Sequence, residues 1–211
     1  MLTENEIIAG GNGSAIVCSF QAEQVKEGQR LIFNSGNASM GYGLPCAIGA
    51  CIASGKKRTI CFEGDGSIMM NLQELQTVFH HKLPIKIFII NNNGYSSIKQ
   101  TQTNFFNGHL TACTKESGVS FPDFVKIGTA FGIKSVKIEK PEQMEGQIRK
   151  YIDSPEPVIY DVITDSEQIF TPKLSSEKLP DGKMISKPLE DMYPFLDREE
   201  FYSNMISGEQ L

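Results

Sequence analysis

No two cysteines in this 211-residue sequence stand at CxxC spacing. Cys18, Cys46, Cys51, Cys61 and Cys113 are odd in number and scattered through apolar segments. That pattern argues against a disulfide framework and against a zinc site, and predicts buried thiols in a reducing cytoplasm. No apolar run approaches the roughly 18 residues of a membrane-spanning helix. The N-terminus, MLTENEIIAG, is acidic and lacks the basic-then-apolar order of a signal peptide. Positive charge is in deficit: 20 Lys and Arg face 25 Asp and Glu, for a net charge of −5. This disfavours nucleic acid or an anionic membrane as partner, while leaving room for a local basic pocket. Internal repeats and low-complexity tracts are also absent.

What is present is an ordinary globular composition, 40% hydrophobic and 21% charged, long enough for one α/β domain with a real core. Strand and helix signals alternate. Glu6 to Ala9 reads as a short strand, followed by a glycine-rich turn through Gly10 to Ser14. Leu31 to Phe33 is a second strand candidate. A loop from Asn34 to Met40 leads into a small-residue helix, GYGLPCAIGACIASG. Arg58 to Phe62 is a buried strand. Asn71 to Lys82 has Leu72, Leu75, Val78 and Phe79 at helical spacing, and Leu83-Pro84 ends it. IKIFII is a near-continuous apolar strand, as in a parallel sheet buried on both faces. Phe121 to Phe131 reads as a helix with Pro122 near its first turn. Ser135 to Ile138 and Val158 to Val162 are strands, with a helix from Pro141 to Ile152 between them.

This βαβα order predicts a doubly wound, mainly parallel sheet with helices on both faces, over residues 1–164. Residues 165–211 have scattered prolines and little periodicity. They read as an extended tail with one short helix near Asp197 to Met205, packing on the domain or on a partner.

The chemistry concentrates in two segments. Gly64-Asp65-Gly66-Ser67 and Asn91-Asn92-Asn93-Gly94 each follow a strand, and one helix links those strands. A right-handed crossover puts both segments at the carboxyl edge of the sheet, where open α/β sheets bind ligands. An aspartate oxygen, an asparagine amide oxygen and a nearby backbone carbonyl are hard ligands, suited to Mg²⁺ or Ca²⁺ and not to zinc. Mg²⁺ usually bridges to substrate phosphates, and the bare N–H groups of Gly66 and Ser67 can cradle phosphate oxygens. A lone GDG is more often a tight turn, and a lone NN a strand-end cap. Both at crossover spacing around an ELQT helix reverse those odds, and the inference is a Mg²⁺–diphosphate site.

The stretch GDGSIMMNLQELQTVFHHKLPIKIFIINNNGYSSIKQTQ resembles the GDG…NN signature of thiamine diphosphate enzymes. SMGYGLPCAIGA is similar to the preceding loop and helix of the acetolactate synthase branch. The similarity runs from about Glu6 to Val162. It implies that Asp65, the Asn92 side chain and the Gly94 carbonyl bind Mg²⁺. Gly64, Gly66 and Ser67 would meet the diphosphate, and Gly11, Asn12 and Gly13 would form the loop that closes over it. The backbone from Ala38 through Ser39 to Met40 would hydrogen-bond the aminopyrimidine, and the Met40 side chain would prop the cofactor in its bent shape. Tyr95 would border the cofactor, and Ser96, Ser97 and Ile98 would begin the segment facing a 2-oxo acid substrate. Two departures stand on that side: Thr101 lies near the family's tryptophan, in a chain that has none, and Ser96 replaces a family glycine.

No catalytic residue is identified in this chain, because the resemblance places the activating glutamate on a separate pyrimidine-binding domain. Glu63, Glu74, His80, His81 and His109 are not assigned catalysis, and Lys99, Gln100 and Gln102 read as solvent-facing. The expectation is a fragment or a split subunit of a homo-oligomeric enzyme, inactive alone. Decarboxylation and acyl-carbanion transfer are its expected chemistry. A non-catalytic cofactor-binding or regulatory module on the same fold is the alternative. A nucleotide-binding Rossmann domain is disfavoured, since no GxGxxG follows the first strand.

Overall fold

A computed structural model describes residues 1–179 and 181–206. The chain separates into two compact units, Met1–Gln168 and Ile169–Leu211. The first is built on six strands: β1 (Ile7–Gly10), β2 (Arg30–Phe33), β3 (Thr59–Gly64), β4 (Ile85–Asn91), β5 (Lys134–Ile138) and β6 (Val158–Ile163). Their order across the sheet is β2-β1-β3-β4-β6-β5, and every neighbouring pair is parallel. The predicted doubly wound α/β architecture is what the chain adopts.

Strand alternation sorts side chains to two faces. Ala9, Cys61, Ile87 and Ile159 are register partners on one face, and α2 (Gly43–Ala53), α4 (Leu75–His80) and α6 (Phe124–Ala130) cover it. Leu44, Ala47, Ile48 and Cys51 of α2 recur at i, i+3, i+4, i+7 and are all buried. The other face carries Phe62, Phe88 and Tyr160 in register. Phe62 and Phe88 are tilted at 5.3 Å, and Phe88 stacks on Tyr160 at 4.6 Å. Ile148, Tyr151 and Ile152, of and just after α7 (Pro141–Tyr151), pack there. Aromatic pairs of this geometry add about 0.5–1.5 kcal/mol beyond area burial.

Four elements differ from the sequence expectation. Ser14–Ala22 is a helix, α1, where only a glycine turn was expected. Ser96–Phe105 is a helix, α5, where no helix or strand was expected. The helix expected from Asn71 begins earlier, as α3 (Asp65–Ile68), then a 3-10 segment over Met69–Glu74, then α4. Asn71 breaks the ladder at φ −137°, because its side-chain amide is drawn to the Gly41 carbonyl at 2.5 Å. Pro122 is not in the first turn of α6. Asp123 caps that helix by accepting from the Lys126 N–H at 3.0 Å, so Pro122 precedes it.

The second unit holds an antiparallel hairpin, β7 (Ser176–Lys178) with β8 (Met184–Ser186), which its scattered prolines had masked. Its helix α8 spans Arg198–Ser203, capped by Asp197. Arg198 grips Asp191 with two hydrogen bonds, at 2.9 and 3.0 Å.

Candidate functional site

Strand β1 is flanked by β2 on one side and β3 on the other, so the crossovers from β1 to β2 and from β3 to β4 run in opposite directions. The carboxyl ends of β1 and β3 therefore bound a switch point, where the loops part and leave a crevice. A cavity of about 240 Å³ lies there. It is lined by the segment after β1 (Asn12, Gly13, Ser14), the segment after β3 (Gly64 to Ser67) and the segment after β4 (Asn92, Gly94 to Ile98), together with Ala38 and Met40.

Asp65 is the first residue of α3 and only 2% exposed. Its Oδ1 accepts from the Gly66 N–H at 2.7 Å, and its Oδ2 accepts from the Gly94 N–H at 3.2 Å. The second bond joins the segment after β3 to the segment after β4. Burial pushes the Asp65 carboxyl up to about 6, against the opposing pull of the Gly66, Gly94, Asn93 and Asn92 backbone. Within the cavity's wall this carboxylate lacks a cationic neighbour.

Asn92 is 8% exposed. Its Nδ2 donates to Ser14 Oγ at 3.1 Å, and its Oδ1 is buried without a partner. Among the described residues the only other such side-chain atom is Glu63 Oε2, two positions before Asp65. An unpaired buried acceptor costs on the order of 1–3 kcal/mol. Asn91 serves the strand instead: its amide donates to Asp161 Oδ1 at 2.8 Å, tying β4 to β6.

The glycines have separate reasons. A Cβ on Gly66 would fall 2.1 Å from the Tyr95 ring, and one on Gly94 would fall 2.6 Å from the Cys113 carbonyl, so both are required by the protein's own packing. A Cβ on Gly64 would meet nothing nearer than Ser67 Cβ at 3.8 Å, which leaves that flank open to a ligand. Tyr95 is held by its N–H to the Cys113 carbonyl and by an edge contact with Phe121. Met40 is 40% exposed, so it is not a core methionine. Across the mouth, Asn12 Nδ2 donates to the Ala38 carbonyl at 3.0 Å, and Ala38 has φ +49°.

Of the residues singled out in the sequence, the cavity gathers Asn12, Gly13, Ala38, Met40, Gly64, Asp65, Gly66, Ser67, Asn92, Gly94, Tyr95, Ser96, Ser97 and Ile98. Gly11 and Ser39 are outside its wall. His80, His81, His109, Glu74 and Thr101 also stand apart from it. Ser14 was missed; its hydroxyl, following the glycine turn that opens α1, was the available signal. The donor set suits a hard cation: a carboxylate, a free amide oxygen and open backbone. No group of three His, Cys, Asp or Glu that could hold a metal occurs among the described residues, so such a cation would need non-protein oxygens as well.

Residues 11–162 match the family described as thiamine pyrophosphate enzyme, C-terminal TPP binding domain. The chain belongs to this family. Its relatives in the thiamine pyrophosphate enzymes include the acetolactate synthase large subunit of Cyanidium caldarium, 36% identical over 155 residues, covering 74% of this chain and 26% of that protein. The large subunit of Pyropia yezoensis is 36% identical over 170 residues, covering 80% and 28%. Isozyme 1 of Escherichia coli K12 is 30% identical over 165 residues, covering 78% and 29%. The chain thus spans about a quarter of the length of the curated relatives it matches. The TPP-binding assignment of the cavity-bearing unit and its acetolactate synthase-like affiliation agree with the sequence resemblance.

Proposed function

We propose that this chain anchors thiamine diphosphate through Mg²⁺ in the switch-point cavity, as the cofactor-anchoring part of an enzyme acting on a 2-oxo acid. The observation that carries the reading is that buried Asp65 and the unpartnered Asn92 Oδ1 belong to one cavity, whose two segments are tied by the Gly94 N–H to Asp65 Oδ2. A divalent cation between them answers both: it pairs the desolvated carboxylate and fills the empty acceptor. The Gly94 carbonyl completes the protein ligands. Gly66 and Ser67 border the diphosphate, Ser67 presenting its backbone N–H while that of Gly66 is held by Asp65 Oδ1, and the open flank at Gly64 admits it. Asn12 and Gly13 close over it. Ala38 and Ser39 offer backbone to the aminopyrimidine, while exposed Met40 supports the cofactor's bend. When bound, the thiazolium supplies the electron sink for decarboxylation and acyl-carbanion transfer.

Ser96, Ser97 and Ile98, in the first turn of α5, face the substrate side of the cavity. Thr101 and Ser96 are this chain's departures from the synthase pattern, so the substrate set differs while the anchor is retained. Residues 1–164 are the cofactor-anchoring domain, and residues 165–211 a tail outside it. The activating glutamate comes from a pyrimidine-binding domain, in a cytoplasmic homo-oligomer with no nucleic acid or membrane partner. Free cysteines support the compartment, and no described helix is long and apolar enough to cross a membrane. The second reading, a non-catalytic cofactor-binding module, predicts binding without turnover even with the partner domain supplied.

The test is calorimetric titration of the chain with thiamine diphosphate and Mg²⁺, wild type against Asp65→Ala. Equal affinity in the two proteins sinks the metal assignment. Turnover of pyruvate by the isolated chain would refute its dependence on a second domain.

A further inference from the structure

The second unpartnered atom, Glu63 Oε2, lies outside the proposed cofactor contacts and has its own surroundings. Glu63 is the penultimate residue of β3 and is completely buried. Its Oε1 accepts from the Leu44 N–H at 3.0 Å, at the start of α2. Its Oε2 accepts no hydrogen bond of good geometry, although the Ser67 side chain lies within electrostatic reach of the carboxyl. Two glycines face this carboxyl from different segments. A Cβ on Gly11 would fall 2.2 Å from Oε2 and 2.7 Å from Cδ, and its three nearest neighbours are all atoms of the Glu63 carboxyl. A Cβ on Gly43 would fall 2.4 Å from Oε1 and 2.7 Å from the Gly11 nitrogen. A carboxyl held where it lacks one hydrogen bond, between two positions that must lack side chains, is a costly arrangement with a specific shape.

We propose that Glu63 is a positioning residue: its carboxyl, wedged against Gly11 and Gly43, fixes the segment after β1 that forms one wall of the cavity. The wall's reach depends on that segment. Gly11 N–H bonds the Phe62 carbonyl at 2.8 Å, immediately before Glu63. One residue on, Asn12 spans the mouth to the Ala38 carbonyl. Three residues on, Ser14 accepts from Asn92 Nδ2 and thereby orients the amide whose oxygen is free. Glu63 reaches this segment through Gly11. The sequence reading gave Gly11 to the diphosphate; here its bareness belongs to Glu63. The consequence for cofactor affinity rests on the proposed diphosphate reading of the cavity, whereas the loop-positioning role does not.

The test uses the full chain in two arms. Hydrogen exchange without cofactor is followed over residues 10–17 and over β5 and β6. Glu63→Ala should speed exchange in residues 10–17 by about tenfold and leave β5 and β6 unchanged, since local opening reports local stability. Glu63→Gln, which keeps the volume and an acceptor, should stay within about twofold of wild type. In the wild-type background Gly11→Ala should speed the same segment by about tenfold, and after Glu63→Ala it should add less than about twofold, as coupled neighbours do. Glu63→Asp withdraws the carboxyl by one methylene and should relieve Gly11→Ala in the same way, should the alanine variant not fold. An equal cost of Gly11→Ala in both backgrounds, or faster exchange throughout the sheet, overturns the proposal. Calorimetry with thiamine diphosphate and Mg²⁺ is the second arm, in which affinity should follow the same coupling. Wild type that fails to bind refutes the functional reading alone, because the exchange arm still decides the role of Glu63.

Discussion

The two ends of the central sheet treat buried polar groups in opposite ways. At the amino edge, Glu6 is buried and grips Arg58, with Arg58 Nη2 to Glu6 Oε2 at 2.8 Å, while another nitrogen of Arg58 reaches Asp153. Lys86, wholly buried in β4, donates to the carbonyls of Ser154 and Glu156. At the carboxyl edge, Asp65 lacks a cation, and Asn92 Oδ1 and Glu63 Oε2 lack partners. Among the described residues, the buried side-chain atoms at one edge all have hydrogen-bond partners, while two at the other have none. Burial by itself therefore does not mark a site. The marker is burial with a missing partner, and the two edges, sharing strands and solvent, serve as each other's control.

The sharpest way to break this contrast is to take one group from each end. Asp65→Ala should weaken thiamine diphosphate binding in Mg²⁺ by about a thousandfold, ~4 kcal/mol, by calorimetry. Arg58→Met should leave that affinity unchanged and lower unfolding free energy by about 3 kcal/mol in urea, because Glu6 stays buried without its partner. Next comes pH. The Asp65 carboxyl is raised to about 6, so between its unfolded value and 6 the native state binds more protons than the unfolded one, and cofactor-free stability falls as pH rises. The loss across that window is up to about 3 kcal/mol, at 1.36 kcal/mol per pKa unit. It should vanish in Asp65→Asn, which then unfolds at higher temperature than wild type at pH 7. Mg²⁺ with thiamine diphosphate should suppress it in wild type only. The smallest effect belongs to neither edge: Glu145→Ala breaks an exposed i,i+4 pair with Arg149 and should change stability by less than about 0.5 kcal/mol.

The parts legible in the sequence were those whose signal is local or periodic. IKIFII could only be a strand buried on both faces, and GDG and NN fell at strand ends fixed by the crossover rule. Helix α1 was hidden because only Ala15 and Ile16 of its nine residues are buried, and no side chain caps it. Helix α5 buries no residue at all, so SSIKQTQTNF carries no apolar stripe to read. The break at Asn71 depends on Gly41, thirty residues earlier, and such a contact leaves no trace in local spacing. The same holds for Glu63. Its place between Gly11 and Gly43 is a fact of three segments meeting, whereas Asp65 could be read from its own neighbours.

Strand order also sets a timetable. β4 pairs with β3 on one side, and on the other with β6, the last strand of the sheet to be made. Lys86 and the Ser154 carbonyl that accepts its hydrogen bond are 68 positions apart. During synthesis, at roughly 5–20 residues per second, the apolar edge of β4 therefore stays unpaired for several seconds after β3 is in place. An open edge of that kind templates association between chains, and a charge within the strand discourages it. Lys86 is the one charged residue in β4. It leaves water only when β6 arrives with the carbonyls that receive it, so nascent chains cut short of residue 158 retain an exposed edge that the whole chain covers.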